Sequence, residues 1–102
     1  MGQPRIKLQA KLEAILGSKS VYFQPPATVK LKYPCIIYKL DAKDELRANN
    51  ARYLSTNRYQ VTVVDRNPDS MIPDLISELQ YCSFERFYTS DNLNHFIYNL
   101  YF

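Results

Sequence analysis

The stretch Cys82–Phe102, CSFERFYTSDNLNHFIYNLYF, constrains the fold more than any other part of the chain. It reads as two aromatic strands joined at Ser90-Asp91-Asn92. In the second strand Phe96, Tyr98, Leu100 and Phe102 share one face, and His95, Ile97, Asn99 and Tyr101 share the other. In the first, Cys82, Phe84 and Tyr88 oppose Ser83, Glu85 and Phe87. Neither strand has a cleanly polar face. An antiparallel sheet wetted on one side alternates more sharply, so the second face is expected to be partly covered, with a neighbouring subunit as its natural cover.

The rest of the chain supplies what this hairpin packs on. Arg5–Leu16 predicts a helix with Leu8, Leu12, Ile15 and Leu16 in one stripe, opened by Pro4 at a first helical position and stopped by Gly17. Residues 18–33 form an extended, Pro-containing arm. Val21-Tyr22-Phe23 has a brief chance to pair, whereas Pro25-Pro26 cannot donate to a ladder. Tyr22 and Phe23 either close the end of the core or lie on a neighbouring subunit. Pro34–Leu40 predicts a strand, and Arg58–Asp65 is the clearest strand of all, with Tyr59, Val61 and Val63 alternating against Gln60 and Thr62. Between them, residues 41–57 (DAKDELRANNARYLSTN) read as a long polar inter-strand loop. Structureless loops beyond about 12–15 residues are uncommon in compact domains and tend to be functional. Arg47, Arg52 and Arg58 give this one donors for an acidic partner surface. NPDS at Asn67–Ser70 opens a short helix whose stripe is Ile72, Leu75, Ile76 and Leu79, with Pro73 tolerable only in its first turn.

The expectation is therefore a single α+β domain over residues 1–102, with two helices packed on a four-stranded, mainly antiparallel sheet in the order α-β-β-α-β-β. A chain of 102 residues with 46% hydrophobic and 23% charged residues has the balance of one globular core. Nine Tyr and five Phe without Trp suit half-buried sheets and interfaces, because each Tyr buries a ring while its hydroxyl seeks a partner. Residues 1–33 hold six Lys/Arg against Glu13 alone, and residues 34–102 hold seven against nine acidic groups. This basic arm reads first as a solvated face and second as an attractor of acidic protein or DNA. Cys35 and Cys82 sit in apolar runs as small hydrophobes rather than as a disulfide scaffold. The opening MGQPRIKLQAKL has no apolar core of a leader, and no run suits a membrane span, so a soluble intracellular protein is expected.

Chemistry is sparse. His95 is the sole histidine, so a nucleophilic triad or dyad would have to use it with Asp91, Cys35 or Cys82. A histidine beside a turn aspartate more often pins the turn, with Asn92 and Asn94 bonding local backbone. The cysteines lack the paired spacing of zinc sites, and two glycines cannot build a phosphate-cradling loop. No catalytic, cofactor-binding or metal-ligating residue is assigned, and no cofactor is expected. A small single-stranded nucleic-acid-binding α+β module is a rival reading on its basic and aromatic residues, although the aromatic signature of the RNA-recognition fold is missing.

The stretches LGSKSVYFQPP (Leu16–Pro26), KYPCIIY (Lys32–Tyr38), RYQVTVVDRNPDS (Arg58–Ser70) and YCSFERFYTSDNLNHFIYNLYF (Tyr81–Phe102) together resemble the tail completion, or tail terminator, proteins of long-tailed bacteriophages. The resemblance implies a non-enzymatic virion protein, assembled in the host cytoplasm, that forms a homo-oligomeric, typically hexameric, ring capping the tail tube. It implies a tail tube protein on one side and a head-side connector or stopper on the other, with DNA passing through the lumen and no membrane partner. Another small head–tail joining protein, a head completion or stopper component, is the alternative within that setting. On this reading Tyr22, Phe23, Arg47, Arg52, Arg58, Phe87, Ile97 and Tyr101 are the candidate subunit and partner contacts.

Overall fold

The computed structural model describes the backbone of residues 4–48 and 51–102, and the side chains of those outside residues 43–56. Two helices, α1 (Arg5–Leu16) and α2 (Ile72–Ser77), cover one face of a five-stranded sheet. Its strands are β1 (Val21–Phe23), β2 (Cys35–Ala48), β3 (Ala51–Asp65), β4 (Cys82–Ser90) and β5 (Leu93–Tyr101). They lie in the order β1-β2-β3-β5-β4, antiparallel except for the parallel pair β1–β2. The α+β class with two helices stands. The four-stranded, mainly antiparallel sheet in the order α-β-β-α-β-β does not.

The strand that reading missed is Val21-Tyr22-Phe23, too short for a period to show. It runs parallel to β2, with Val21 opposite Ile36 and Phe23 opposite Tyr38. Parallel neighbours need a connection that carries the chain back to the same end, and the Pro-rich segment between Phe23 and Cys35 provides it. Ile36 N donates to Ser20 O at 3.0 Å and Gln24 N to Tyr38 O at 3.0 Å, holding both ends of the short strand. The extended arm is thus partly a sheet edge of its own chain.

Register sets the core. Ile36, Val63 and Phe96 stand in one row across the sheet, Tyr38, Val61 and Tyr98 in the next, and Tyr59 with Leu100 in a third. All project toward the helices, where Leu8, Leu12 and Ile76 meet them, each wholly buried. Burying one such side chain contributes about 1.5–3 kcal/mol, so the two helical stripes hold the layer together. Gly17 ends α1 in the left-handed region at φ 78, and its N–H reaches Glu13 O at 2.9 Å. Pro4 stands just outside the helix as its cap residue. In α2, Pro73 falls in the first turn, where its missing N–H leaves no hydrogen bond unmade. The Ser70 hydroxyl accepts from Ile72 N at 3.2 Å.

Two buried tyrosines tie helices to sheet through their hydroxyls. The Tyr98 hydroxyl donates to the Pro73 carbonyl at 3.1 Å and accepts from the Ser77 hydroxyl at 3.2 Å. The Tyr38 hydroxyl donates to Gln9 Oε1 and accepts from Arg5 Nη1 at 2.9 Å. Among the described residues, no helix is long and apolar enough to cross a membrane.

The long polar loop expected over residues 41–57 is corrected most. Its described residues continue β2 and β3 as one antiparallel ribbon, from Ala42 opposite Arg58 out to Ala48 opposite Ala51. A polar composition does not exclude a strand, because alternation records burial rather than extension.

Candidate assembly surface

The closing hairpin is built tightly at one end and irregularly in the middle. Asp91 and Asn92 both have positive φ, 53 and 62, the pair of values a two-residue type I′ turn needs and that Asp and Asn tolerate best. The turn closes on Ser90 opposite Leu93. Asn94 bonds away from the turn, its Nδ2 reaching Asp65 O at 3.1 Å and Arg66 O at 3.3 Å, which fastens β5 to the end of β3 rather than to local backbone.

In the middle of β4 the register shifts between Phe84 and Arg86. An extra residue in one strand turns two successive side chains to the same face. Glu85 and Arg86 therefore both lie on the face away from the helices, where Glu85 accepts from Gln60 at 3.4 Å and from Asn99 at 3.3 Å. Phe87 consequently moves to the helix-side face, against Phe96 with 4.9 Å between ring centroids. Tyr88 moves to the other, stacked on His95 at 4.4 Å and 7°. This reverses the facing expected for Phe87 and Tyr88, because strict alternation cannot foresee a bulge.

Exposure is concentrated on this strand. Every residue of β4 after Cys82 is exposed. Phe84 is 56%, Phe87 47% and Tyr88 42% accessible, and Tyr81 at the foot of the strand reaches 71%. Tyr88 faces away from the helices, and among the described residues no strand lies beyond β4. A long aromatic edge of this kind offers unpaired backbone groups and apolar area together, the two things a partner strand uses.

The open face opposite the helices behaves otherwise. Cys35, Val64 and Ile97 are buried there within the single chain, at 0%, 2% and 3% accessible. The expectation that a neighbour must cover this face is corrected for Ile97: an aspartate there tests folding, not docking. Burial pushes the Cys35 thiol up to about 11, with Asp65 adding to the effect, so it is held protonated and is a poor nucleophile near neutral pH. Burial raises the Cys82 thiol as well. His95 and Cys35 stand on the same face but two strands apart, opposite the same Val64. Among the described residues, no three His, Cys, Asp or Glu side chains come together as a metal site.

The remaining candidate contacts divide among these regions. Tyr22 and Phe23 belong to β1: Phe23 packs on Tyr38 at 5.0 Å beneath the Arg5 guanidinium, inside its own core layer. The Tyr22 hydroxyl accepts from Lys32 N at 3.4 Å. Arg58 and Tyr101 stand opposite each other where the ribbon leaves the sheet. The Tyr101 hydroxyl and then Asp41 raise the Arg58 pKa, and Arg58 Nε lies 3.0 Å from Asp41 Oδ2. Arg47 and Arg52 are register partners in the outer ribbon, and their side chains lie outside the described residues. Phe84, Glu85, Arg86 and Tyr88, absent from the expected contacts, complete the exposed edge with Phe87. The signal for them was the sequence Phe84-Glu85-Arg86-Phe87 itself, a pair of phenylalanines flanking a pair of opposite charges.

Compared with family models and with curated proteins, the chain matches none.

Proposed function

We propose that the chain is a non-enzymatic assembly protein of a long-tailed phage virion, a ring-forming tail terminator that caps the tail tube and meets the head-side connector. The observation that carries this reading is the ribbon beyond the sheet. The pairings of β1 stop at Tyr38 and those of β5 at Arg58, so the described pairs from Lys43–Asn57 outward have only each other. These six further pairs extend it by about 20 Å, consistent with a long axis of 51 Å against 26 and 23 Å. A lone two-stranded ribbon is marginal in water by itself. Such an arm makes physical sense when it lies on another subunit or on a tube. The aromatic edge of β4 supports the same reading, as does the resemblance of the RNPDS and TSDNLNH stretches to tail completion proteins.

The test uses the purified chain alone and mixed with tails of the phage that encodes it, viewed by negative-stain microscopy. A ring at the head-proximal end of the tube is expected, and the chain should appear in the virion by mass spectrometry. A chain that stays off tails and is absent from virions overturns the reading. Attachment to the head connector instead would reassign it to head completion. A second reading is favoured by Phe84, Phe87 and Tyr88 lying exposed beside Arg86, the ingredients of a base-stacking strip. It predicts single-strand binding that weakens steeply with salt.

A further inference from the structure

The bulge in β4 gives that strand a symmetry its composition alone does not have. Before it, Cys82 and Phe84 lie on the helix-side face and Ser83 and Glu85 on the open face; after it, Arg86 and Tyr88 lie on the open face and Phe87 and Thr89 on the helix side. About a point between Glu85 and Arg86, this order reads the same in both directions.

The backbone follows the same symmetry. Tyr101 N donates to Tyr81 O at 3.1 Å, so at this end Tyr81 and Ser83 turn their peptide groups toward β5, and Cys82 and Phe84 turn theirs outward. At the other end the two-residue turn closing on Ser90 and Leu93 makes Ser90, Tyr88 and Arg86 the inward-bonding residues. Phe87 and Thr89 then point outward. The free donors and acceptors of the edge thus sit at positions 82 and 84 on one side of the centre and 87 and 89 on the other.

We propose that β4 pairs antiparallel with β4 of a second copy of this chain, across a two-fold axis passing between Glu85 and Arg86. That register sets Phe84 opposite the second copy's Phe87, Glu85 opposite its Arg86, Ser83 opposite its Tyr88 and Cys82 opposite its Thr89, each pair then occurring twice. Like faces meet, outward-bonding residues meet, and the central contacts are opposite charges flanked by aromatics. A strand without the bulge cannot do this. Strict alternation forces a two-fold axis onto a residue, so Glu85 would face Glu85 or Arg86 would face Arg86. The isologous pair consumes both β4 edges and extends the sheet through two copies. It is a contact distinct from the head-to-tail contacts of a ring and does not rest on the terminator reading. One strand per copy is a small interface beside the usual 20–30 residues a side, so the dimer is expected to depend on concentration.

A charge-swap series and a disulfide test it. Sedimentation of the intact chain should show a monomer–dimer equilibrium. Glu85→Arg and Arg86→Glu, each checked for an unchanged circular dichroism spectrum, should each weaken dimerisation at least tenfold by placing like charges at the centre. The double variant Glu85→Arg/Arg86→Glu should restore it. That rescue separates pairing across copies from loss of the Gln60 and Asn99 hydrogen bonds, which the double variant does not return. Thr89→Cys should form a covalent dimer through Cys82 under mild oxidation, since directly opposite hydrogen-bonded residues have Cα atoms about 5.5 Å apart. Adding Cys82→Ser should abolish it. A strictly monomeric chain, a failed rescue, or Thr89→Cys that does not cross-link overturns the proposal. A dimer that persists undiminished through both single swaps overturns it while leaving the terminator reading standing.

Discussion

The molecule contains two hairpins that differ in almost every respect. The closing hairpin, β4–β5, has a turn of two left-handed residues, aromatic pairs across the strands and one wholly paired strand. The hairpin of β2 and β3 begins as the centre of the sheet and ends as a polar ribbon whose described outer residues pair only with one another. In the first, burial follows double pairing: β5, bonded on both flanks, carries the buried residues, while β4, bonded on one, is exposed after Cys82. In the second, apolar alternation and strand pairing separate along the same two strands. Inside Leu40 and Tyr59 each strand alternates around a core, and outside them the ladder continues through a mainly polar sequence. A β-ladder needs hydrogen bonds, whereas a readable β-pattern needs a buried face, and the two hairpins show these to be separate requirements.

The sharpest way to break the comparison is at β3, the strand that joins the two hairpins through its pairing with β5. Val61 is wholly buried in the row between Tyr38 and Tyr98. Val61→Asp should cost more than about 4 kcal/mol, because it leaves an unpaired charge in the core, and thermal melts should show no cooperative transition. Next in size is an alkaline loss of stability. In the fold the Cys35 thiol titrates at about 11 rather than its ordinary 9.0, and burial also raises Tyr38 and Tyr98. The unfolded chain releases these protons first, so stability present below about pH 9 is lost as pH rises toward 11. Unfolding free energies from denaturant titration should fall on the order of 2 kcal/mol over that window, and Cys35→Ala should flatten the slope.

Smaller again is Asn92→Val, which forces a β-branched residue into the left-handed region at φ 62. About 1–2 kcal/mol should be lost, read as a lower melting temperature with the β3–β5 pairing retained. Least of all should be felt when Asp44–Thr56 are replaced by Asn-Gly, leaving Lys43 opposite Asn57 as the last pair. A change below about 1 kcal/mol is expected, since the described core lies entirely inside that point. If the replacement instead unfolds the chain, the ribbon belongs to the fold and the contrast between the two hairpins collapses. If stability holds but attachment to tails is lost, the contrast is sharpened into a division of labour.

What was legible in the sequence follows the same division. The stripe of α1, Ile72 and Ile76 of α2, the stop at Gly17, the alternation of Tyr59, Val61 and Val63 and the facing of Phe96 through Leu100 were readable, because the core lies between those helix and sheet faces; Leu75, expected in the α2 stripe, is exposed, and Leu79 lies beyond the helix. Val21–Phe23 was too short to show a period and owes its strand to Ile36 and Tyr38 beside it. The outer ribbon hides because its mainly polar sequence, DAKDELRANNARYLSTN, carries no sustained period-2 apolar pattern. The bulge at Glu85–Arg86 hides for a third reason: both strict alternation and its interruption are compatible with FERF, and only the pairing with Ile97 decides. Ile97 itself was assigned to a neighbour because its face looked apolar, whereas its own sheet already buries it.

β3 has one more consequence. It runs unbroken from the tip-side pair at Ala51 to Asp65, and along its inner half it is bonded on both flanks, to β2 and to β5. A tug on the ribbon along its length loads those flanking ladders in shear, so that many hydrogen bonds must yield together. A tug on β4 sideways from the sheet opens its single ladder one rung at a time, like a zipper. The same small sheet is therefore stiff along the direction in which its arm reaches and compliant at its aromatic rim.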